Sequence, residues 1–86
     1  MIPDSSWYVY LVRCSDNSLY CGITMSVEDR IKAHSAGLGA KYTRGRGPVT
    51  FVCSAGPYRK GTALRIEAAT KKLPSSRKVN FLLYHE

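Results

Sequence analysis

The sequence predicts an α/β fold of the α+β sandwich kind, a three-stranded, mainly antiparallel sheet flanked by helices in the order β-β-α-β-α-α. Three observations predict it. Trp7 to Arg13 (WYVYLVR) and Leu19 to Thr24 (LYCGIT) are aromatic and β-branched runs on either side of the polar tetrad Ser15-Asp16-Asn17-Ser18, the pattern of a hairpin. Ser26 before and Gly37 after the next segment punctuate a helix. A third apolar run, Val49 to Ala55 (VTFVCSA), precedes two helical segments separated by Pro74. With 86 residues the chain suits one core, so it reads as a single domain over 1–86 with residues 1–6 as a loose tail.

The hairpin poses a question of register, because side chains alternate between sheet faces. A two-residue loop, Asp16-Asn17, sets Tyr10 and Tyr20 on opposite faces. A three-residue loop, Asp16-Asn17-Ser18, with Asn17 or Ser18 at positive φ, pairs Ser15 with Leu19. Tyr8, Tyr10, Val12, Tyr20 and Gly22 then share one face. A bulge has the same effect.

Ser26 reads as an N-cap, and Glu28 and Asp29 fall in the first turn, where the helix dipole favours negative charge. The helix runs from about Val27 to Ala36, with Val27 and Ile31 on its buried edge and Arg30 and His34 four residues apart beside it. Gly37 to Pro48 (GLGAKYTRGRGP) holds four glycines and three basic residues, hence a loop, with a short helical turn near Ala40 to Thr43. After the third strand, Gly56-Pro57 reads as a break. Thr62 caps a helix to Leu73, and Ser75 or Ser76 caps a last one, striped by Val79, Leu82 and Leu83.

Thirteen Lys and Arg against six Asp and Glu give a net charge of +7. Between Arg30 and His85 stand twelve of those bases and a single acid, Glu67. Such a surface attracts polyanions, because Lys and Arg displace condensed counterions from phosphates, and nucleic acid is the leading partner class. An anionic membrane is a weaker match, since no basic amphipathic helix stands out. No stretch nears the ~20 apolar residues of a membrane span and no leader pattern opens the chain, so a cytoplasmic location is expected. Cys14, Cys21 and Cys53 are odd in number and lack CxxC spacing, which argues for reduced thiols rather than a disulfide framework or zinc site. Cys14 and Cys21 flank the hairpin closely enough to approach each other, and a Cys-His nucleophile is a further option.

Glu67 stands mid-helix with Lys71 one turn on. It forms either an i, i+4 ion pair or a metal ligand, since Mg²⁺ commonly accepts one or two carboxylates with waters and phosphate completing its shell. Tyr8-Val9-Tyr10, Tyr20-Cys21-Gly22, Arg30, His34, Glu67 and Asn80, in this order and spacing, resemble the GIY-YIG nuclease domain. The likeness is greatest to its short stand-alone bacterial group, which shares a Gly-Ala-Lys loop followed by Thr-Arg and Pro, here Gly39 to Pro48. Tyr8 stands where the first motif has Gly, and Cys21 where the second has Ile. Both phenols and the following glycine are kept.

The resemblance implies metal-assisted hydrolysis of phosphodiesters in DNA, selective for strandedness or shape rather than sequence, in repair or recombination; RNA stays open. It implies Tyr10, Tyr20, Arg30, His34, Glu67 and Asn80 as catalytic residues, Glu67 as ligand of one Mg²⁺ or Mn²⁺, and Gly22 as a point of close backbone approach. Arg30 would grip the scissile phosphate, Tyr20 would hydrogen-bond it, and either Tyr10 or His34 would act as base. Lys41, Tyr42, Arg44, Arg46, Arg59 and Lys60 would line the substrate track, with Tyr42 free to stack on a base. Two alternatives stand beside this reading, a non-catalytic nucleic-acid-binding module and an accessory subunit of a larger nuclease. The oligomeric state is not legible in the chain.

Overall fold

A computed structural model describes residues 5–84. Its elements follow the expected order: β1 (Ser5–Arg13), β2 (Leu19–Thr24), α1 (Val27–Ser35), a 3₁₀ turn (Lys41–Thr43), β3 (Thr50–Arg59), α2 (Lys60–Lys71) and α3 (Ser75–Tyr84). The sheet is antiparallel with strand order β2-β1-β3. The first strand starts earlier than expected, so Ser5 and Ser6 belong to the sheet, and residues 1–4 of the expected tail lie outside the described residues.

The hairpin keeps the expected side-chain parity in a different register. Tyr10 pairs with Gly22 and Val12 with Tyr20, while Cys14 N–H bonds the carbonyl of Ser18 at 2.8 Å. The three-residue loop is therefore Ser15-Asp16-Asn17, one position earlier than expected, with Asn17 at φ 72°. Asp16 selects this frame, because its carboxylate accepts hydrogen bonds from the backbone and hydroxyl of Ser18, closing a tight side-chain turn. Sliding by a full pair leaves each side chain on the same face, so Tyr8, Tyr10, Val12, Tyr20 and Gly22 do share one side.

The odd-numbered side of β1 faces α2 and α3. Val9, Leu11, Cys21, Cys53, Ala63 and Leu82 form its buried apolar cluster. The even-numbered side faces α1, where Tyr10, Val12, Cys14 and Val49 cluster with Ile31 and Tyr20 against them. Cys14 and Cys21 thus lie on opposite faces rather than near each other, and the three thiols are free. Burial pushes the Cys21 thiol up to about 12 and raises Cys53 as well, so these are inert core groups rather than nucleophiles.

Further boundaries differ from expectation, among them the end of α2, which falls at Lys71 rather than Leu73. Strand β3 does not break at Gly56-Pro57 but continues to Arg59, pairing Tyr58 with Trp7 and Arg59 with Ser5 through register shifts. Gly56, at φ 136°, makes this bulge, and a Cβ there would stand 2.8 Å from the Trp7 carbonyl oxygen. β3 is an edge strand, where proline is tolerated. The chain then enters α2 directly at Lys60, so Thr62 lies inside the helix, its hydroxyl contacting Arg65, and caps nothing. In the same way α3 begins at Ser75 itself, with the Pro74 carbonyl accepting from Arg77 N–H.

Helix α1 follows its punctuation closely. Ser26 accepts from Asp29 N–H, and Gly37, at φ 78°, ends the helix while Leu38 N–H reaches back to the Ala33 carbonyl. This stop places Gly39 and the 3₁₀ turn directly beneath His34.

Candidate active site

Tyr10 and His34 meet at the centre of the even face. Tyr10 is 1% exposed and His34 fully buried, and the phenol oxygen lies 2.7 Å from His34 Nε2. The other ring nitrogen, Nδ1, lies 2.7 Å from Thr43 Oγ1. Arg30, one turn before His34 on α1, brings its guanidinium to the same place, close enough to favour the ionised Tyr10 phenol and disfavour the charged imidazole. Tyr20, half-buried on the edge strand, sets its ring 6.4 Å from Tyr10 and 5.3 Å, edge-on, from His34.

Two glycines make this packing possible. The Tyr10 ring lies over Gly22, and a Cβ at that position would stand 2.5 Å from the phenol oxygen. The close approach expected at Gly22 is thus made by the tyrosine. Gly39 plays the same part for His34, since any Cβ there would collide with the imidazole. Neither Gly39 nor Thr43 was singled out for the site. The loop's composition marked it as a turn, and only the fold brings that turn against a helix nine residues earlier.

The electrostatics of the pair follow from burial. Desolvation pushes the Tyr10 phenol up to about 12, with the Arg30 guanidinium pulling against it, so the phenol is protonated near neutrality. Burial and the Arg30 charge lower His34 below the ordinary imidazole range, so the ring is neutral there. A phenolate at Tyr10, which the expected role as base needs, is disfavoured. A neutral imidazole beside it is not.

Tyr42 stacks on Tyr20, centroids 5.7 Å apart, and Arg46 lies 4.3 Å over the Tyr42 ring. Its ring therefore has partners already and is not a bare platform for a base. Arg46 ties the loop to the hairpin through a 3.0 Å ion pair with Asp16. Lys41 and Arg44 stand exposed on the same loop. Arg59 and Lys60 are elsewhere: Arg59 pairs with Ser5, and Lys60 lies over Trp7 at 5.0 Å, on the α2 side of the sheet, at the other end of β1. Tyr10 is five residue steps along the strand from Ser5, roughly 16 Å.

Glu67 comes from α2, on the apolar side of the sheet. Its carboxylate is 3.4 Å from Lys71, so the i, i+4 ion pair is formed, and Lys71 in turn lies 5.6 Å over the Tyr20 ring. Lys71 thus links the carboxylate to the phenol at the β2 edge. Beside it opens a pocket of about 360 Å³ lined by Leu19, Tyr20, Cys21, Tyr42, Lys71 and Lys78. Lys78, also not foreseen, donates to the last carbonyls of α2, Thr70 and Lys71. Asn80 is exposed on α3 and does not line this pocket.

Among the described residues no three His, Cys, Asp or Glu side chains come together to cage a metal. A single carboxylate suffices for Mg²⁺, which keeps most of its waters, and Glu67, with its side chain 19% exposed, already attracts a cation. The donor fits such an ion in kind. Among the described residues no helix is long and apolar enough to cross a membrane.

A family model described as the GIY-YIG catalytic domain matches residues 6–80. Relatives include a UPF0213 protein of Neisseria meningitidis serogroup A, 49% identical over 74 residues, covering 86% of this chain and 81% of that one. Another UPF0213 protein, from Oceanobacillus iheyensis, is 41% identical and covers 96% of each. Two solution NMR structures are also similar. The UPF0213 protein from Bacillus halodurans has 43% identity and a TM-score of 0.54 over 90% of this chain and 82% of its own. A protein from E. faecalis has 34% identity and a TM-score of 0.60 over 99% and 92%.

Proposed function

The chain belongs to the GIY-YIG family, whose domain is of nuclease type, and from that premise we propose that it is a divalent-metal-dependent endonuclease acting on DNA by strandedness or shape. The observation that carries the proposal is the buried contact between the Tyr10 phenol and His34 Nε2, with Arg30 and Tyr20 beside it. A buried phenol needs a hydrogen-bond partner, and the partner here is a group able to take its proton.

The two residues act as one base. A water gives its proton to the Tyr10 oxygen as Tyr10 passes its own to His34 Nε2, so no free phenolate is needed at any stage. The resulting hydroxide attacks phosphorus, the 3′ oxygen leaves and takes a proton from solvent water to become the 3′ hydroxyl, and the imidazolium returns its proton to solvent through Tyr10, so the protons balance. Arg30 holds a non-bridging oxygen as charge grows on the phosphate, and Tyr20 hydrogen-bonds the same group. Glu67 would hold one Mg²⁺ or Mn²⁺, and such an ion would supply charge neutralisation at the phosphate and at the leaving oxygen. Lys41 and Arg44 would carry the backbone beside the site, and Arg59 and Lys60, roughly 16 Å along the sheet, would meet it further out. RNA is a second candidate substrate, and a cytoplasmic role in repair or recombination accords with the reading.

One observation favours a rival. The Glu67–Lys71 pair occupies the expected metal ligand, as in a binding module that cuts nothing. Labelled single-stranded, flapped, branched and duplex DNA incubated with Mg²⁺ or Mn²⁺ separates the two. The nuclease reading expects cutting by wild type, lost in Glu67→Ala with DNA binding retained. Binding by both proteins without cutting by either supports the module.

A further inference from the structure

Behind His34, on the side away from Tyr10, stands Thr43, which no step above uses. It is 1% exposed, and its Oγ1 lies 2.7 Å from His34 Nδ1 and 2.9 Å from the carbonyl oxygen of Ala40. Counting protons settles the direction of both bonds. A carbonyl only accepts, so the single hydroxyl proton of Thr43 is donated to Ala40. Toward His34 the hydroxyl then presents a lone pair, and Nδ1 must supply the proton. A neutral imidazole has one N–H, which leaves Nε2 bare and facing the Tyr10 hydroxyl at 2.7 Å.

We propose that Thr43 is a positioning residue: by donating to Ala40 it obliges His34 to carry its proton on Nδ1, and so makes Nε2 the acceptor for the Tyr10 proton. The chain of bonds runs one way, from the Tyr10 hydroxyl to Nε2, then from Nδ1–H to Thr43 Oγ1, then from that hydroxyl to the Ala40 carbonyl. Gly39 holds the ring against rotation, because its bare Cα lies flush with the imidazole. The groups that face His34 are Tyr10 from β1, Tyr20 from β2, Arg30 from α1 and Thr43 from the 3₁₀ turn. None is acidic. The neutral ring is therefore the resting state, and in the opposite tautomer Nε2–H would donate to the Tyr10 oxygen, leaving the imidazole unable to accept the phenol proton.

The catalytic consequence rests on the nuclease reading, but the tautomer does not, and the experiment separates them. Imidazole ¹⁵N spectra at pH 7.5 are recorded for wild type, Thr43→Val and Thr43→Ser, beside kcat and KM for cleavage. Wild type is expected to show one tautomer, protonated on Nδ1. Thr43→Val is expected to show a mixed or Nε2-protonated ring and about a tenfold to hundredfold lower kcat with KM unchanged, the range for groups that orient a catalytic ligand. Thr43→Ser, which keeps the hydroxyl, restores both.

A wild-type ring protonated on Nε2 overturns the proposal without any variant, and so does a Thr43→Val ring that stays on Nδ1. If Thr43→Val does not fold, the wild-type and Thr43→Ser spectra decide. Should the spectra agree with expectation while no substrate is cut, the tautomer assignment stands and the nuclease reading fails.

Discussion

The two faces of β1 use the same strand for different ends. On the odd side, Val9 and Leu11 meet Cys21, Cys53, Ala63 and Leu82 in an apolar cluster under α2 and α3. On the even side Tyr10 meets His34, which meets Thr43, and among the described residues each buried side-chain polar atom has a partner. The first face gains from area removed from water and tolerates no void. The second buries hydroxyl and imidazole groups whose desolvation is offset only while every hydrogen bond is made. Stability should therefore be lost in different ways on the two sides, and Leu11, unlike Tyr10, touches none of the proposed reacting groups.

The largest effect is expected on the odd side. Leu11→Ala leaves a cavity between two strands and two helices and should cost about 2–5 kcal/mol, read as a lower urea midpoint. At the lower end of that range DNA cutting by the folded fraction should be unimpaired, because nothing on the even face is touched.

Gly22→Ala should cost about 1–3 kcal/mol, since the new methyl meets the Tyr10 oxygen and forces the phenol off His34. Unlike Leu11→Ala, it should also abolish cleavage in the folded fraction. Equal rates per folded molecule in the two variants would erase the distinction drawn between the faces.

Tyr10→Phe leaves His34 Nε2 buried and unpaired, at a cost of about 1–3 kcal/mol, smaller than a core cavity, with cleavage lowered about 10²- to 10⁴-fold. Retained cleavage would remove Tyr10 from the reaction.

A pH series sharpens the comparison further. Folding lowers the His34 pKa, so the unfolded chain binds its proton more readily than the native one. Its contribution is complete above the unfolded value of about 6.5 and is lost as pH falls below it toward the native value. The urea midpoint should thus drop between pH 7.5 and pH 5.5, and Leu11→Ala should show the same drop, because the odd face holds no part of the effect. A midpoint flat across this window would mean that the imidazole is not held neutral.

The smallest expected effect lies outside both faces. Gly61, with nothing near its Cα, should accept alanine with a gain of about 0.5 kcal/mol in urea denaturation, as helix propensity alone requires. The contrast with Gly22 shows that the glycines of this chain are not interchangeable.

Much of this was legible in advance, for reasons that are local. Alternating aromatic and β-branched residues form strands, and β2 falls on its expected residues; Ser26 and Gly37 bound α1 through hydrogen bonds within a few residues of each. The shared face of Tyr10 and Tyr20 survives a slip in register because parity, not pairing, carries it. What went unread depends on partners distant in sequence. Gly56-Pro57 looks like a break until β1 supplies a strand for it to bulge against. Thr62 looks like a cap until the Ser5–Arg59 pair delivers the chain to α2 three residues sooner. Asn80 matched its motif by spacing, yet α3 turns it to solvent.

By itself the sequence determined which segments are strand and helix, the basic surface, and a set of residues able to handle a phosphate, because propensity, charge and side-chain chemistry are carried by each residue and its neighbours. Only the tertiary structure decided that Tyr10 is a protonated phenol on a neutral imidazole, that Thr43 and Gly39 hold that imidazole, and that Glu67 pairs with Lys71 at the sheet edge. Protonation and pairing depend on burial and on distances across the fold, and neither exists until the sheet and helices have closed around the side chains.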